Sequence, residues 1–396
     1  MKIGLTCPAS LPATQFGGIM FLCLDIAKKS ANLGHDVTIY TTDMDFANNP
    51  FTFNKKLPRK EKFGKFIINR SHVWFSIYLF FVNPGIYFQM MKDDNDIIHS
   101  IGVKSFQSFI ATLVSKKKKI PLIISDQGGL TTHPDLHSSL SRRIAYKLQT
   151  PMVRYVVNQA TKIIVANEYE KQIFLNKEMG VEESKITIIR NGINLDILDS
   201  TVFDFKKKYK IKQDFLLFIG RFSRIKGIDI LLKTINLLKN NPEILKIKFV
   251  IMGVDFGFES QMFSMIKRFN VEDKILVIKN PPREDVIQAY RECKFLILPS
   301  RWELSPLTPL EGFAFKKTVV STSVYGIPYT LEHNKNSLLV HVENPESLSA
   351  AILELINDSK KCEKFGNNGY ELVVNTCNAT KMVENTLKIY EAVLKH

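Results

Sequence analysis

The stretch Phe215-Leu216-Leu217-Phe218-Ile219-Gly220-Arg221-Phe222-Ser223-Arg224-Ile225-Lys226-Gly227 decides the fold class. A continuous apolar run ends in a Gly-Arg turn. Helical spacing then starts at Ile228, with Leu231, Leu232, Ile235 and Leu238 on one stripe. A strand that is apolar at every position is covered on both faces, as strands of parallel sheets are. The turn puts Arg221 and Lys226 beside a helix start, where unpaired N–H groups and the positive end of the dipole attract anions. Two fixed cations there suit a diphosphate.

The same pattern recurs along the chain. Strands are expected at 2–7, 36–41, 96–100, 121–125, 161–166 and 185–189, and again at 215–219, 247–252, 274–278, 294–298, 318–321 and 337–340. Helix-like runs separate them, which makes the class α/β with doubly wound parallel sheets. Leu348, Ile352, Leu355 and Ile356 form another helical stripe behind the start signal Asn344-Pro345-Glu346. The length of 396 residues exceeds one ordinary core, so two domains are expected. Residues 194–212 are polar, basic and weakly periodic and read as a linker between domains 1–193 and 213–378. A ligand cleft is expected between the carboxyl edges of two facing sheets.

A second motif follows the apolar strand at 294–298. In Trp302-Glu303-Leu304-Ser305-Pro306-Leu307-Thr308-Pro309-Leu310-Glu311, two carboxylates stand eight positions apart across a strand-to-helix turn. One such carboxylate could simply cap the helix. A pair is suited to the hydroxyls of a ribose and a hexose, and together with the cations it points to a nucleotide-activated sugar. Near the start of the chain, Gly17-Gly18 opens a helix after the first strand, where backbone can approach a ligand closely. Asp43-Met44-Asp45 is most simply a polar turn after the second strand, and no metal is expected.

These motifs resemble the retaining glycosyltransferases of family 4, which have the GT-B fold. The likeness rests on Gly17-Gly18, on Gly220-Arg221 with Lys226-Gly227, and on the Glu303 to Glu311 spacing. Ile188-Ile189-Arg190-Asn191-Gly192-Ile193, Gly326-Ile327-Pro328 and Asn336-Ser337-Leu338-Leu339-Val340 extend it over nearly the whole chain. It implies two facing Rossmann-like domains, with donor nucleotide sugar on the second and acceptor on the first. It implies that Arg221 and Lys226 hold the diphosphate, Glu311 the ribose and Glu303 the transferred sugar. Gly17, Gly18 and Asn191 are further substrate-binding candidates. The last helix, about 379–394, would return to the first domain.

The chain also departs from the family pattern. Ser305-Pro306 stands where Phe-Gly is usual, and Pro306 has no N–H. Donor contacts would come instead from Leu307, Thr308 or the Ser305 hydroxyl. The usual Gly is replaced in Ala314-Phe315-Lys316-Lys317-Thr318. The family His-Gly becomes Gln127-Gly128-Gly129, leaving Gln127, His99 or His133 to take the histidine's place; for both histidines a structural role is the better reading.

Five scattered cysteines, with no CxxC, argue against a disulfide framework and a zinc site. Met1-Lys2-Ile3-Gly4-Leu5 reads as a strand rather than a signal peptide, so a cytoplasmic enzyme without cofactor is expected. The net charge of +15 favours anionic partners. No helix-turn-helix or aromatic-interleaved basic strand supports nucleic acid binding. The run Val73-Trp74-Phe75-Ser76-Ile77-Tyr78-Leu79-Phe80-Phe81-Val82 is too short to span a bilayer. It reads first as a buried strand or helix and second as a membrane-facing patch, which the lysines at 55, 56, 60, 62, 65 and 116–119 would favour. A lipid-linked acceptor and peripheral attachment to an anionic membrane are therefore expected alternatives to a soluble acceptor. A nucleotide-sugar epimerase of the same fold is the rival activity, and a basic nucleic-acid binder the weaker one.

Overall fold

The computed structural model describes residues 1–47, 49, 51–126, 130, 140–176 and 179–395. The chain divides into two compact units, Met1–Gly192 with Ala379–His396, and Ile193–Asn378.

In unit 1 the strands are β1 (Lys2–Thr6), β2 (Asp36–Thr42), β3 (Lys60–Phe63), β4 (Phe66–Ser71), β5 (Phe75–Ile77), β6 (Phe80–Val82), β7 (Ile97–Ile101), β8 (Leu122–Ser125), β9 (Lys162–Val165) and β10 (Ile186–Ile188). Its helices are α1 (Gly18–Asn32), α2 (Gly85–Lys92), α3 (Phe106–Lys118), α4 (Leu140–Gln159) and α5 (Glu168–Leu175). One sheet runs in the order β10-β9-β8-β7-β1-β2-β4-β3, while β5 and β6 form a separate hairpin. In that sheet only β3 runs antiparallel to its neighbour.

Unit 2 continues with α6 (Phe205–Lys208), β11 (Asp214–Ile219), α7 (Ile228–Leu238), β12 (Ile247–Gly253), α8 (Glu259–Phe269), β13 (Ile275–Lys279), α9 (Arg283–Glu292), β14 (Leu296–Leu298), α10 (Leu307–Ala314), β15 (Val319–Thr322), β16 (Ser337–Val340), α11 (Pro345–Asn357) and α12 (Ser359–Asn375). Its parallel sheet has the order β13-β12-β11-β14-β15-β16. The last helix, α13 (Ala379–Leu394), belongs to unit 1.

The continuous apolar run at β11 has a direct physical cause. Successive side chains point to opposite faces of the sheet. Leu216 and Phe218 therefore enter one buried cluster with the α7 stripe, and Phe215 and Leu217 enter another with Tyr290, Leu310 and Phe313. Each such side chain contributes ~1.5–3 kcal/mol on burial. In α11 the Asn344 side chain accepts from the Ser347 N–H, and Pro345 takes the first turn, where a missing N–H costs nothing. In unit 1, Met382, Val383, Leu387 and Tyr390 of α13 share a core with Leu22, Cys23 and Ile26 of α1.

Two expectations need correction. Residues 194–212 are not a bare linker: they carry a 3-10 turn and α6, and they belong to unit 2. Phe205 is fully buried there, with its ring 4.7 Å from that of Tyr209 and 5.5 Å from that of Phe215. The carboxylate of Glu292 accepts from the Phe205 N–H at 2.8 Å. Isolated aromatic anchors leave no periodic signal, so the segment looks loose in sequence.

The run Val73–Val82, read first as a buried strand or helix, is instead the exposed hairpin β5–β6. Its turn has Tyr78 at φ +51. Val73 and Phe81 are buried, but Trp74 is 71% exposed, and Phe75, Ile77, Tyr78 and Leu79 are also exposed. Strands of three residues offer too little surface for a second layer to cover.

Candidate donor site at the switch point of unit 2

Strand order in the sheet of unit 2 reverses direction between β11 and β14. Loops leaving those strands diverge, and α/β sheets bind ligands in the crevice so formed. The loop after β11 carries Arg221 to Gly227, and the loop after β14 carries Pro299 to Pro306.

The two loops are tied by backbone. The Arg301 N–H donates to the Ile225 carbonyl at 2.7 Å. Gly227 has φ +69, and a Cβ there would lie 1.9 Å from the Pro299 carbonyl oxygen. Only glycine serves both the left-handed conformation and that approach. On the other side of the second loop the Gly326 N–H donates to the Glu303 carbonyl at 3.0 Å.

Side chains complete the site. Lys226 Nζ lies 2.5 Å from Glu303 Oε1, which also accepts from Ser300 Oγ at 2.9 Å. Glu303 is buried, and Lys226 supplies the opposite charge that a buried carboxylate calls for. The Arg221 guanidinium carbon sits 4.9 Å from the ring centroid of Phe256. Glu311 lies in the second turn of α10, where the Tyr290 hydroxyl donates to Oε2 at 2.8 Å and Arg283 Nη2 to Oε1. Burial first, and the Glu311 charge second, hold the Tyr290 phenol well above the usual phenol range. Leu307 and Thr308 are the first residues of α10, after Pro306 as N-cap, so their N–H groups belong to the helix's unpaired set. Ser305 lies just before that cap.

Arg301 is the residue that sequence reasoning missed. Its guanidinium donates to both carboxylate oxygens of Asp229, at 2.6 and 2.7 Å, to Glu343, and to the Arg224 carbonyl at 2.5 Å. It thus fastens the first turn of α7 to the β14 loop. Burial pulls its pKa down, but the carboxylates outweigh this and hold it above the usual range. Arg283 and Tyr290, which hold Glu311, were missed as well. All three come from outside the motifs, and no spacing pointed to them.

The remaining candidates lie elsewhere. Gly17 (φ +102) and Gly18 stand at the start of α1 in unit 1, beside β1, where the order of that sheet also reverses. Asn191 is buried at the end of unit 1. Gln127 and His133 lie outside the described residues. His99 is fully buried, bonded to the Tyr390 hydroxyl at 2.5 Å and Ser125 Oγ at 2.8 Å. Burial lowers its pKa to about 3, which makes it a neutral structural group. Asp43 is more than a polar turn: it is buried, accepts the Val73 N–H at 3.1 Å and pairs with His72 Nδ1 at 2.5 Å. Among the described residues no three His, Cys, Asp or Glu side chains gather as a metal site would require.

A model described as Glycosyltransferase Family 4 matches residues 16–197, and one described as Glycosyl transferases group 1 matches residues 200–372. The chain belongs to the family 4 glycosyltransferases. This glycosyltransferase is 28% identical to an uncharacterised glycosyltransferase of Methanocaldococcus jannaschii, over 75% of each chain. It is 21% identical to the UDP-Gal:alpha-D-GlcNAc-diphosphoundecaprenol alpha-1,3-galactosyltransferase of Escherichia coli, over 77% of this chain and 78% of that one. Among solved structures, Anabaena HepE in complex with UDP and glucose superposes with TM-score 0.77 at 16% identity, over 99% of this chain and 100% of that one. Such neighbours are GT-B glycosyltransferases, and the two units here have the parallel Rossmann-like cores of that fold.

Proposed function

We propose that this glycosyltransferase moves a hexose from a nucleotide diphosphate sugar to a hydroxyl of a glycan or lipid-linked acceptor, with retention at the anomeric carbon and without a metal. The observation that carries this reading is the Lys226–Glu303 pair at the switch point, beside Arg221 and the start of α10. A diphosphate would draw Lys226 Nζ towards itself, and Glu303 would then be released to accept from sugar hydroxyls. Glu311, fixed by Tyr290 and Arg283, would take the ribose, and Ser305, Leu307 and Thr308 would supply donors to the diphosphate side. Gly17, Gly18 and Asn191 would line the acceptor's approach.

In the reaction the bond from the anomeric carbon to the diphosphate oxygen breaks as the acceptor oxygen bonds to the same face. The acceptor proton passes to the leaving oxygen. Arg221 and Lys226 stabilise the charge that develops there, a role other enzymes give to a metal. The Escherichia coli relative, by its name, takes UDP-Gal and a diphosphoundecaprenol-linked acceptor, which supports both substrate classes. The net charge of +15 supports attachment to the anionic inner surface of a membrane.

The test is a panel of nucleotide sugars with EDTA present. A thermal shift picks the donor, because a selective ligand raises apparent stability by mass action. Transfer and product configuration then follow by nuclear magnetic resonance. Retained configuration and full activity in EDTA are expected. Inversion, or activity restored only by Mg²⁺ or Mn²⁺, overturns the reading.

A further inference from the structure

The hairpin β5–β6 and helix α4 each expose large apolar side chains. On the hairpin these are Trp74, Phe75, Ile77, Tyr78 and Leu79. On α4 they are Leu140 (74% exposed), Ile144 and Leu148 (77% exposed). The four-residue spacing puts the α4 set on one stripe, opposite the buried Val153, Val156 and Val157. Arg143, Lys147 and Arg154 are exposed along one flank of that stripe.

Both elements are anchored at the same place, the start of α3. The Phe80 ring packs edge-on against Phe106 at 5.9 Å. Gln149 Nε2 donates to the Lys104 carbonyl at 2.7 Å, Lys104 Nζ lies 5.9 Å from the Tyr146 ring centroid, and the Phe109 and Tyr155 rings are 6.2 Å apart. The charge within these elements has one sign, with Asp93 and Asp94 following the end of α2. Neither Asp nor Glu occurs in β5, β6, α2, α3 or α4, whereas Lys104, Lys116, Lys117, Arg143, Lys147 and Arg154 all do occur in or beside them.

We propose that the tip of hairpin β5–β6 and the exposed stripe of α4 together form a surface that docks on an anionic lipid bilayer. This rests on the reading of a lipid-linked acceptor and names the surface that brings the enzyme to it. An amphipathic helix with apolar and basic residues on its open side lies in the interface plane of a membrane, and Trp and Tyr settle at headgroup depth. A protein partner would need carboxylates spread over a surface otherwise shaped to apolar side chains, whereas a bilayer offers both together. Among the described residues no helix is long and apolar enough to cross a membrane, so the contact is peripheral.

The test uses the full chain with vesicles of phosphatidylcholine containing about a third phosphatidylglycerol, and with pure phosphatidylcholine vesicles, in co-sedimentation. Wild type pellets with the anionic vesicles at low salt and releases at high salt. Trp74→Ser with Leu148→Ser lowers the partition coefficient at least about tenfold, and Arg143→Gln and Lys147→Gln lower it about fivefold each. All these positions are exposed, so an unchanged circular dichroism spectrum certifies folding. The nucleotide-induced thermal shift stays as in wild type, which separates loss of docking from loss of the donor site. Wild type that stays in the supernatant with anionic vesicles at low salt overturns the proposal. So does unchanged binding by the double serine variant, or a wild-type dimer in sedimentation velocity that this variant makes monomeric, since the patch would then join two copies of the chain.

Discussion

At the residue scale, the donor site is a set of charges that hold one another in place. Removing Arg221 or Lys226 takes away a contact that strengthens as the diphosphate leaves. Arg221→Ala and Lys226→Ala should each lower kcat/KM by roughly 30- to 1000-fold, equivalent to about 2–4 kcal/mol. Steady-state kinetics with the established donor check this. Glu311→Gln keeps the shape but loses the charge that faces Arg283 and Tyr290, so nucleotide affinity should fall about tenfold or more, read by calorimetry. His99 gives a stability prediction. Its folded pKa of about 3 lies below its ordinary 6.5, so both states are neutral above 6.5 and stability is lost as pH falls from there towards 3. Glu170, buried and raised to about 8, acts in the opposite sense: its contribution is lost as pH rises through 8. Comparing wild type with His99→Gln cancels what they share. The midpoint of thermal unfolding should drop less between pH 7 and pH 5 in the variant.

At the element scale, the loops after β11 and β14 behave as one body because Gly227 and Arg301 join them. Gly227→Ala would place a methyl group into the Pro299 carbonyl, so the loops must part. Nucleotide binding should be lost beyond detection in calorimetry, with a cost of about 2 kcal/mol or more in stability. Arg301→Met should weaken nucleotide binding while Arg301→Lys recovers only part of it, since lysine keeps the charge but cannot fork between Asp229 and Glu343. The strands of both main sheets were legible wherever they are buried on two faces, as β11 and β12 are. β3 and β4 were not. Lys60-Glu61-Lys62 has no apolar face, and β4 buries Asn69 and Arg70, whose two terminal nitrogens meet the Pro58 and Leu11 carbonyls and Glu61. A buried arginine breaks the alternation on which strand reading depends. In the site, Arg221, Lys226, Glu303 and Glu311 were legible because they sit in fixed spacing around a turn. Arg283, Tyr290 and Arg301 were not, because their partners are distant in sequence.

At the scale of the whole molecule, each unit has its own core, and the donor-site candidates lie in unit 2. A nucleotide that binds there should stabilise that unit alone. Calorimetry should resolve two transitions, and donor at about 100 times its Kd should raise one by about 2.7 kcal/mol and leave the other unmoved. A shift of both transitions together would mean that the units unfold as one.

The path of the chain has a further consequence. Unit 2 is a continuous stretch inserted between β10 and α13, and its two ends meet where the Ile193 N–H donates to the Cys377 carbonyl at 3.0 Å. Unit 1 is therefore left unfinished while residues 193–378 are being synthesised. The groove of α1 that awaits Met382, Leu387 and Tyr390 stays open on the ribosome until the last helix is made. The later unit can fold first, and the earlier one waits with apolar surface uncovered, a target for chaperones during translation.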